Sequence, residues 1–495
     1  RRHRQTGPAG ADPGGRAMTE APPPSTLLLV ATVIGWGVFG LAVLQYGIYT
    51  LQTVLAFFEM KRARHEERRA QAGWMLGAKS VPGISLLVPA YNEELTIESN
   101  IRSLLTLRYP RYEIIVVNDG SKDGTAAAVI KAFGLRRTVL RRPHPAPCKP
   151  IRGIYAHPDL PNLLFIDKEN GGKSDALNAA MNYARHPLVC GVDADSLLDY
   201  NSLLKAARPF VNRPNTLIAV GGTIRIANGC EVHGGTVVNE NAPRKLLPLF
   251  QIVEYLRAFL IARLAFSRMN TVSIISGAFG LFKRSAVLAV GGYTHGTVGE
   301  DMELIVKLHR HYREKREPYH ILFIPDPVCW TEAPESLAVL RRQRTRWERG
   351  LCEVLWRHRD MMLNPRYGRI GLVGLPMFAF FDILGPFFDL AGLLLLPLFW
   401  WFGLLSFEFL LAFYSLVALY GVFLSMMALV LGEVALFRTT RKRDMALLAL
   451  AAIVENFGYR QLNILWRMEG IWQFFRKQKG WGDMTRTGFG KKPAQ

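Results

Sequence analysis

Closely spaced cysteines are missing from this sequence. Its five cysteines, Cys148, Cys190, Cys230, Cys329 and Cys352, are scattered, odd in number and without a C-x-x-C pair or nearby histidine. That argues against a disulfide framework or a zinc site and fits a reducing compartment. Acidic residues are also scarce, with 40 Asp plus Glu against 61 Lys plus Arg and a formal charge of +21. No recognition module accompanies the basic charge, so nucleic acid is not an expected partner. No internal repeat is visible, and no small-residue cleavage site follows the first apolar run, which argues against a signal peptide.

What is present is a segregated hydropathy, polar in the middle and apolar near both ends. Leu27 to Phe58 carries no charged residue and exceeds the ~20 residues that one helix needs to cross a bilayer. Residues 1–25 read as a disordered tail rich in Arg, Gly and Pro, with Met18 as a natural start. A transmembrane helix is expected over 26–60 and a basic linker over 61–80. From 370 to 437 only Asp382, Asp389, Glu408 and Glu433 are charged, enough for two spans or three. A shorter apolar stretch within 444–475 predicts a re-entrant or further membrane helix, and 476–495 is a basic C-terminal segment. Basic runs at Lys61 to Arg64, Arg438 to Arg443 and Arg476 to Lys479 flank these segments, the pattern of cytosolic orientation at an inner or plasma membrane.

Between 81 and 336 the pattern changes to short apolar runs of strand length, Ile84 to Val88, Ile114 to Val117, Leu163 to Ile166 and Leu188 to Val192, each ending in polar or glycine-containing sequence. Helical stretches such as Glu94 to Leu107 and Lys173 to Ala184 fall between them. The alternation predicts an α/β domain, a Rossmann-type, mostly parallel sheet whose chemistry lies in the loops beyond the strand ends.

Six short constellations occupy those positions. Val88-Pro89-Ala90-Tyr91-Asn92-Glu93-Glu94 can hold a polar ring, and reads equally as helix-capping sequence. Asn118-Asp119-Gly120-Ser121 can offer a carboxylate to a base or ribose, and is also ordinary turn chemistry. Asn170-Gly171-Gly172-Lys173 lacks the spacing of a phosphate loop, yet its glycines permit close backbone approach and Lys173 at a helix start suits a phosphate. Asp193-Ala194-Asp195 places two carboxylates where they can share Mg²⁺ or Mn²⁺ with a diphosphate. Gly299-Glu300-Asp301 offers a general base or a helix cap. Gln343-Arg344-Thr345-Arg346-Trp347, within an Arg- and Trp-rich amphipathic segment over 337–369, offers a stacking surface and donors.

Taken together and in this order, the motifs resemble those of membrane-bound, processive family 2 inverting glycosyltransferases, the group of cellulose, hyaluronan, chitin and poly-N-acetylglucosamine synthases. The resemblance runs from about Val81 to Gly350 and more loosely to Gly482. It implies a GT-A-like catalytic domain on the cytosolic side of an α-helical transmembrane region. It assigns Pro89, Ala90, Tyr91, Glu93 and Asp119 to uridine, and Lys173, Asp193 and Asp195 to diphosphate and metal. Asp301 becomes the base, with Glu300 beside it and Gly299 where Thr is commoner. Gln343, Arg346 and Trp347 line the acceptor end, with Ser276 to Gly280, including Phe279 and Gly280, and Thr331-Glu332 as further walls. Trp481 to Arg486, with Trp481, Thr485 and Arg486 at its core, resembles a gating loop. The implied chemistry is in-line displacement on a UDP-sugar, UDP-N-acetylglucosamine or UDP-glucose, giving a β-linkage to a growing glycan or to a lipid acceptor. Accessory subunits and homo-oligomers are left open, and so is a catalytically dead transporter or scaffold.

Overall fold

The computed structural model describes residues 25–74, 81–233, 235–436 and 441–477. The expected tail to residue 24 and the gating loop with Trp481, Thr485 and Arg486 lie outside them. In chain order the strands are β1 (Ile84–Ala90), β2 (Tyr112–Asp119), β3 (Arg136–Thr138), β4 (Ile151–Ala156), β5 (Leu163–Lys168) and β6 (Leu188–Gly191). They continue as β7 (Leu197–Leu198), β8 (Leu217–Ile226), β9 (Glu231–His233), β10 (Thr236–Asn239), β11 (Gly280–Lys283) and β12 (His320–Thr331).

Ten of these strands, among the described residues, form one sheet in the order β3-β4-β5-β2-β1-β6-β11-β8-β12-β7. Its centre, β5-β2-β1-β6, is parallel throughout. Both faces there are covered, so these strands are almost continuously apolar rather than alternating; Ile84, Leu86, Leu87, Ile114, Ile115, Val116 and Val117 are fully buried. The register pairs Ala90 with Asn118 and Asp119 with Lys168, which brings the loops after β1, β2 and β5 out at one edge. Beyond this centre the sheet is mixed: β11 runs antiparallel to both β6 and β8, while β8 and β12 pair in parallel. Register shifts in β12 fall around Pro325 and Pro327, where proline removes a ladder donor.

Among the described residues, three helices are long and apolar enough to cross a membrane: Thr26–Glu66, Ile370–Trp401 and Phe407–Ala435. The first belongs to one uninterrupted helix, Ser25–Trp74. Residues 61–74, expected as a linker, therefore continue the helix, because that basic stretch has no Gly or Pro before Gly73 to stop it. At the other end, helices Lys442–Val454 and Tyr459–Phe475 are separated by a break at Gly458, whose φ is +94°. Glu455 in that break is fully buried and pairs with Arg257 and Arg460, and accepts a hydrogen bond from Ser425 at 2.8 Å. The sheet domain and the apolar helices are thus joined by a polar network as well as by packing.

Candidate active site

The donor side is built from three loops at the open edge of the sheet. After β1 the chain turns at Asn92, whose φ of +56° is left-handed, and the turn is stapled to the loop after β2. Asn92 N donates to Ser121 Oγ at 3.0 Å, Lys122 N to Asn92 Oδ1 at 2.9 Å, and Gly124 N to the Glu94 carboxylate at 2.9 Å. Tyr91 stands out of this corner 44% exposed, while Ala90 is buried.

Asp119 and Lys168 end adjacent strands, and both are buried. Lys168 Nζ lies 2.6 Å from Asp119 and 2.5 Å from Asp175. Gly171 N and Gly172 N donate to the two Asp119 oxygens at 3.0 and 2.7 Å. Both oxygens of this carboxylate are therefore engaged in shaping the Gly-Gly-Lys loop. Lys168, which the motif alone did not reveal, fixes the orientation of Asp119, the residue expected at uridine, through this ion pair.

That loop delivers Lys173 to the centre of the site, at the first residue of helix Lys173–Tyr183. Its Nζ lies 2.6 Å from Asp193 Oδ1 and 3.1 Å from Glu300 Oε1. Burial works against the ammonium, but Asp193 and Glu300 outweigh it and raise its pKa. Glu300 is raised in turn, by burial first and by neighbouring Asp301, against the pull of Lys173. Asp301, in the first turn of helix Glu300–Lys315, accepts from Gly277 N at 3.2 Å through Oδ2 and from Met302 N at 2.8 Å through Oδ1. A Cβ at position 277 would stand 2.7 Å from Lys173 Nζ, so a larger residue there would push the tip of the lysine aside. Lys173, Asp193, Glu300, Asp301 and Gly277 meet at one place.

The Gln343 to Trp347 motif lies in helix Leu337–Arg357, capped by Ser336 Oγ. It docks directly behind the base motif. Glu353 accepts from Val298 N at 3.0 Å, and a Cβ on Gly299 would come within 3.3 Å of the Gly350 backbone. Gly299, which departs from the commoner Thr, is accounted for by this contact. Trp347 is 43% exposed with the Arg344 guanidinium 4.5 Å from its ring centre, and Gln343 Oε1 is buried without a partner among the described residues. Phe279, expected as an acceptor wall, is fully buried in the sheet core, and Gly280 opens β11. Its ring packs into the core from the turn just before β11, so it backs the wall from within.

Among the described residues no three His, Cys, Asp or Glu gather as a metal site. Asp193 and Asp195, one residue apart past β6, still fit a hard divalent cation whose other ligands come from a diphosphate. A cationic group already rests against Asp193 in the form of Lys173 Nζ.

The fold agrees with the comparisons. Residues 188–440 match Glycosyl transferase family group 2, and residues 85–146 match Glycosyl transferase family 2. The chain belongs to Glycosyl transferase family group 2. Within it, the chain is 32% identical over 284 residues to the poly-β-1,6-N-acetyl-D-glucosamine synthase of Staphylococcus aureus (strain COL), covering 57% of this chain and 58% of the relative. It is 31% identical over 280 residues to the synthase of the same name from Staphylococcus epidermidis, covering 56% and 57%. The chain thus spans less than two thirds of these relatives. A mannosyltransferase from Pyrobaculum calidifontis, solved in complex with GDP-Man and Mn²⁺, shares the fold with a TM-score of 0.51 at 20% identity, over 92% of this chain and 99% of that one. Sequence reasoning missed Lys168, which carries no motif, and left Asp175, in the stretch that follows Gly-Gly-Lys, without a role.

Proposed function

We propose that this family member is an integral-membrane inverting glycosyltransferase that moves a sugar from a UDP-sugar onto a growing β-linked polysaccharide at the cytosolic face. The observation that carries the reading is the meeting of Lys173, Asp193, Glu300 and Asp301, with the Gln343–Trp347 helix docked against it through Gly299 and Gly350. UDP-N-acetylglucosamine is the first donor to test, supported by the names of the relatives, with UDP-glucose second.

In this mechanism Tyr91 flanks the uracil, and the Gly-Gly-Lys loop with Lys173 meets the diphosphate. Asp301 takes the proton from the acceptor hydroxyl as the new bond forms at the anomeric carbon. Asp193 and Asp195 would hold Mg²⁺ or Mn²⁺, which supplies charge neutralisation for the leaving nucleotide. Glu300 keeps Lys173 in place between the two carboxylate groups. Trp347 offers its face to the acceptor sugar where the site meets the membrane helices.

A second reading, transfer of one sugar to a lipid carrier, is favoured by an apolar cavity of about 550 Å³ between the N-terminal helix and the Ile370–Trp401 helix, lined by Ile48, Leu51, Leu55, Leu372 and Phe380. Incubating the purified full chain with a panel of radiolabelled UDP-sugars and Mg²⁺ or Mn²⁺ tests both. UDP release with a high-mass gel product is the expected result. A single-sugar lipid product selects the second reading, and no UDP release from any donor, or release undiminished in Asp195→Ala, removes both.

A further inference from the structure

The apolar cavity of about 550 Å³ between the N-terminal helix and the Ile370–Trp401 helix holds one group that its walls do not explain. The N-terminal helix lines it with Ile48, Leu51, Gln52 and Leu55, the i, i+3, i+4, i+7 spacing of a single helical face. Three of these are apolar. Gln52 is only 5% exposed, faces the same cavity, and its amide has no hydrogen-bond partner among the described residues. A buried amide left unpaired is costly, so it marks a place that a ligand completes.

The rest of the lining is irregular. Leu372 and Phe380, on the facing helix, lie in the π-helical turns Ile370–Gly374 and Phe378–Leu384, a feature frequent at functional sites. Leu363, also in the lining, has a φ of +56° and is 69% exposed. That left-handed backbone is strained for a leucine, as residues that clamp a ligand often are. Its segment follows the helix Leu337–Arg357, and the neighbouring Met361 is fully buried in one cluster with Val354 of that helix and Met302 of the base helix.

The ligand must be apolar along its length and carry an acceptor for the amide. Gln52 lies seven residues, about 10 Å, along the helix from Glu59, which reaches Arg268 of the sheet domain at 3.6 Å. A polar layer of roughly 5–8 Å covers each side of the hydrocarbon core, which puts the amide at its inner edge, where ester carbonyls join acyl chains to glycerol. No Lys, Arg or His of the described residues lines the cavity. A phosphate would find no cation beside it there, whereas an ester carbonyl needs only one neutral donor.

We infer that this cavity binds a diacyl membrane lipid, with one acyl chain between the two helices and its ester carbonyl accepting from Gln52. The lipid braces the segment that continues from the acceptor helix. This rests on the integral-membrane reading above and gives the cavity to a lipid of the bilayer, not to the acceptor.

The test titrates the delipidated full chain in detergent with dioleoylphosphatidylethanolamine and with its diether analogue, which keeps the chains and headgroup but has no ester carbonyl. Native mass spectrometry reads the first lipid bound. Wild type binds the diester roughly 2- to 12-fold more tightly, the range for one neutral hydrogen bond, and Gln52→Leu binds the two alike. Equal binding to wild type, or a preference that survives in Gln52→Leu, overturns the assignment. Should the variant fail to fold, the wild-type comparison decides alone. Undecaprenyl phosphate that competes the diester off at equal concentration also overturns it, and returns the cavity to a lipid carrier. Wild-type protein released from membranes by alkaline carbonate without detergent overturns the integral-membrane reading itself.

Discussion

The donor and acceptor ends of the site are built by opposite means. At the donor end the carboxylate of Asp119 is engaged on both oxygens by Lys168 and two glycine amides, and Asp175 accepts from Lys149 N at 3.1 and 3.0 Å on its two oxygens. At the acceptor end Gln343 Oε1 is buried without a partner among the described residues. A binding surface satisfied from within is preorganised and loses little freedom when its ligand arrives. One with open polar atoms is completed by what binds there. Under the proposed function, the constant partner of the first surface is the nucleotide donor and the variable partner of the second is the acceptor.

The most severe way to break this contrast is at the point where the two ends meet. Asp301→Asn keeps the shape but removes the base, and a 10² to 10⁴-fold fall in the rate of UDP release is expected, on the usual scale for general-base catalysis, with an unchanged melting temperature in detergent. A rate within tenfold of wild type would falsify the assignment of the base.

Next in size is Lys168→Met, which leaves Asp119 and Asp175 buried as uncompensated charges. A loss of about 3–5 kcal/mol is expected from breaking such a pair, visible in denaturant unfolding, together with a weaker donor KM. If stability holds to within 1 kcal/mol, the donor end is not the rigid half.

Gly299→Thr restores the residue commoner in the resembling synthases and sharpens the comparison from the other side. Its Cβ would press on the Gly350 backbone, and overpacking of this kind costs about 1–3 kcal/mol. The expected outcome is a modestly lower melting temperature with a larger drop in kcat than in donor KM, since the displaced helix carries the acceptor residues. A fully active, fully stable variant would show that the helix contact is slack.

The smallest effect concerns the other face of that helix, where Arg467 clamps Glu348 at 3.0 Å and also reaches Asp382. Burial pushes Glu348 up to about 7, with Arg467 opposing and Asp382 adding to the rise. A carboxyl raised on folding binds its proton more tightly in the native state, so its contribution to stability is present at low pH and is lost as pH rises from about 4.5 to 7. His309, drawn down to about 4 by burial, works in the opposite sense, because only the unfolded chain takes up its proton below about 6.5. Melting curves of wild type and Glu348→Gln at several pH values separate the two. The variant should gain relative to wild type between pH 5 and 7, and parallel curves would remove Glu348 from the account.

Much of the sheet's centre was legible because a strand buried on both faces announces itself as a continuous apolar run, as Ile84 to Val88 and Ile114 to Val117 do. The antiparallel insertion of β11 between β6 and β8 was not, since it depends on pairings between segments far apart in the chain. The candidate site divides in the same way. Lys173, Asp193 and Asp301 were found from local motifs and stand together in space. Asp119 was found from its motif, whereas its ion-pair partner Lys168 has no signature of its own. Phe279 shows the limit of reading a motif without its packing, for its ring is fully buried in the core.

The N-terminal helix has a mechanical consequence. At 50 residues it is about 75 Å long, more than the ~45 Å of a whole bilayer, so it emerges as a stiff mast well beyond the lipid. Glu66 and Glu59 tie it to Arg213 and Arg268 of the sheet domain at 3.1 and 3.6 Å. The altitude of the reaction centre above the lipid is therefore metered by residue count. Each residue inserted before Glu59 would shift these ties by ~1.5 Å and turn them by about 100°, against the hold that Arg257 and Glu455 keep on the other membrane helices.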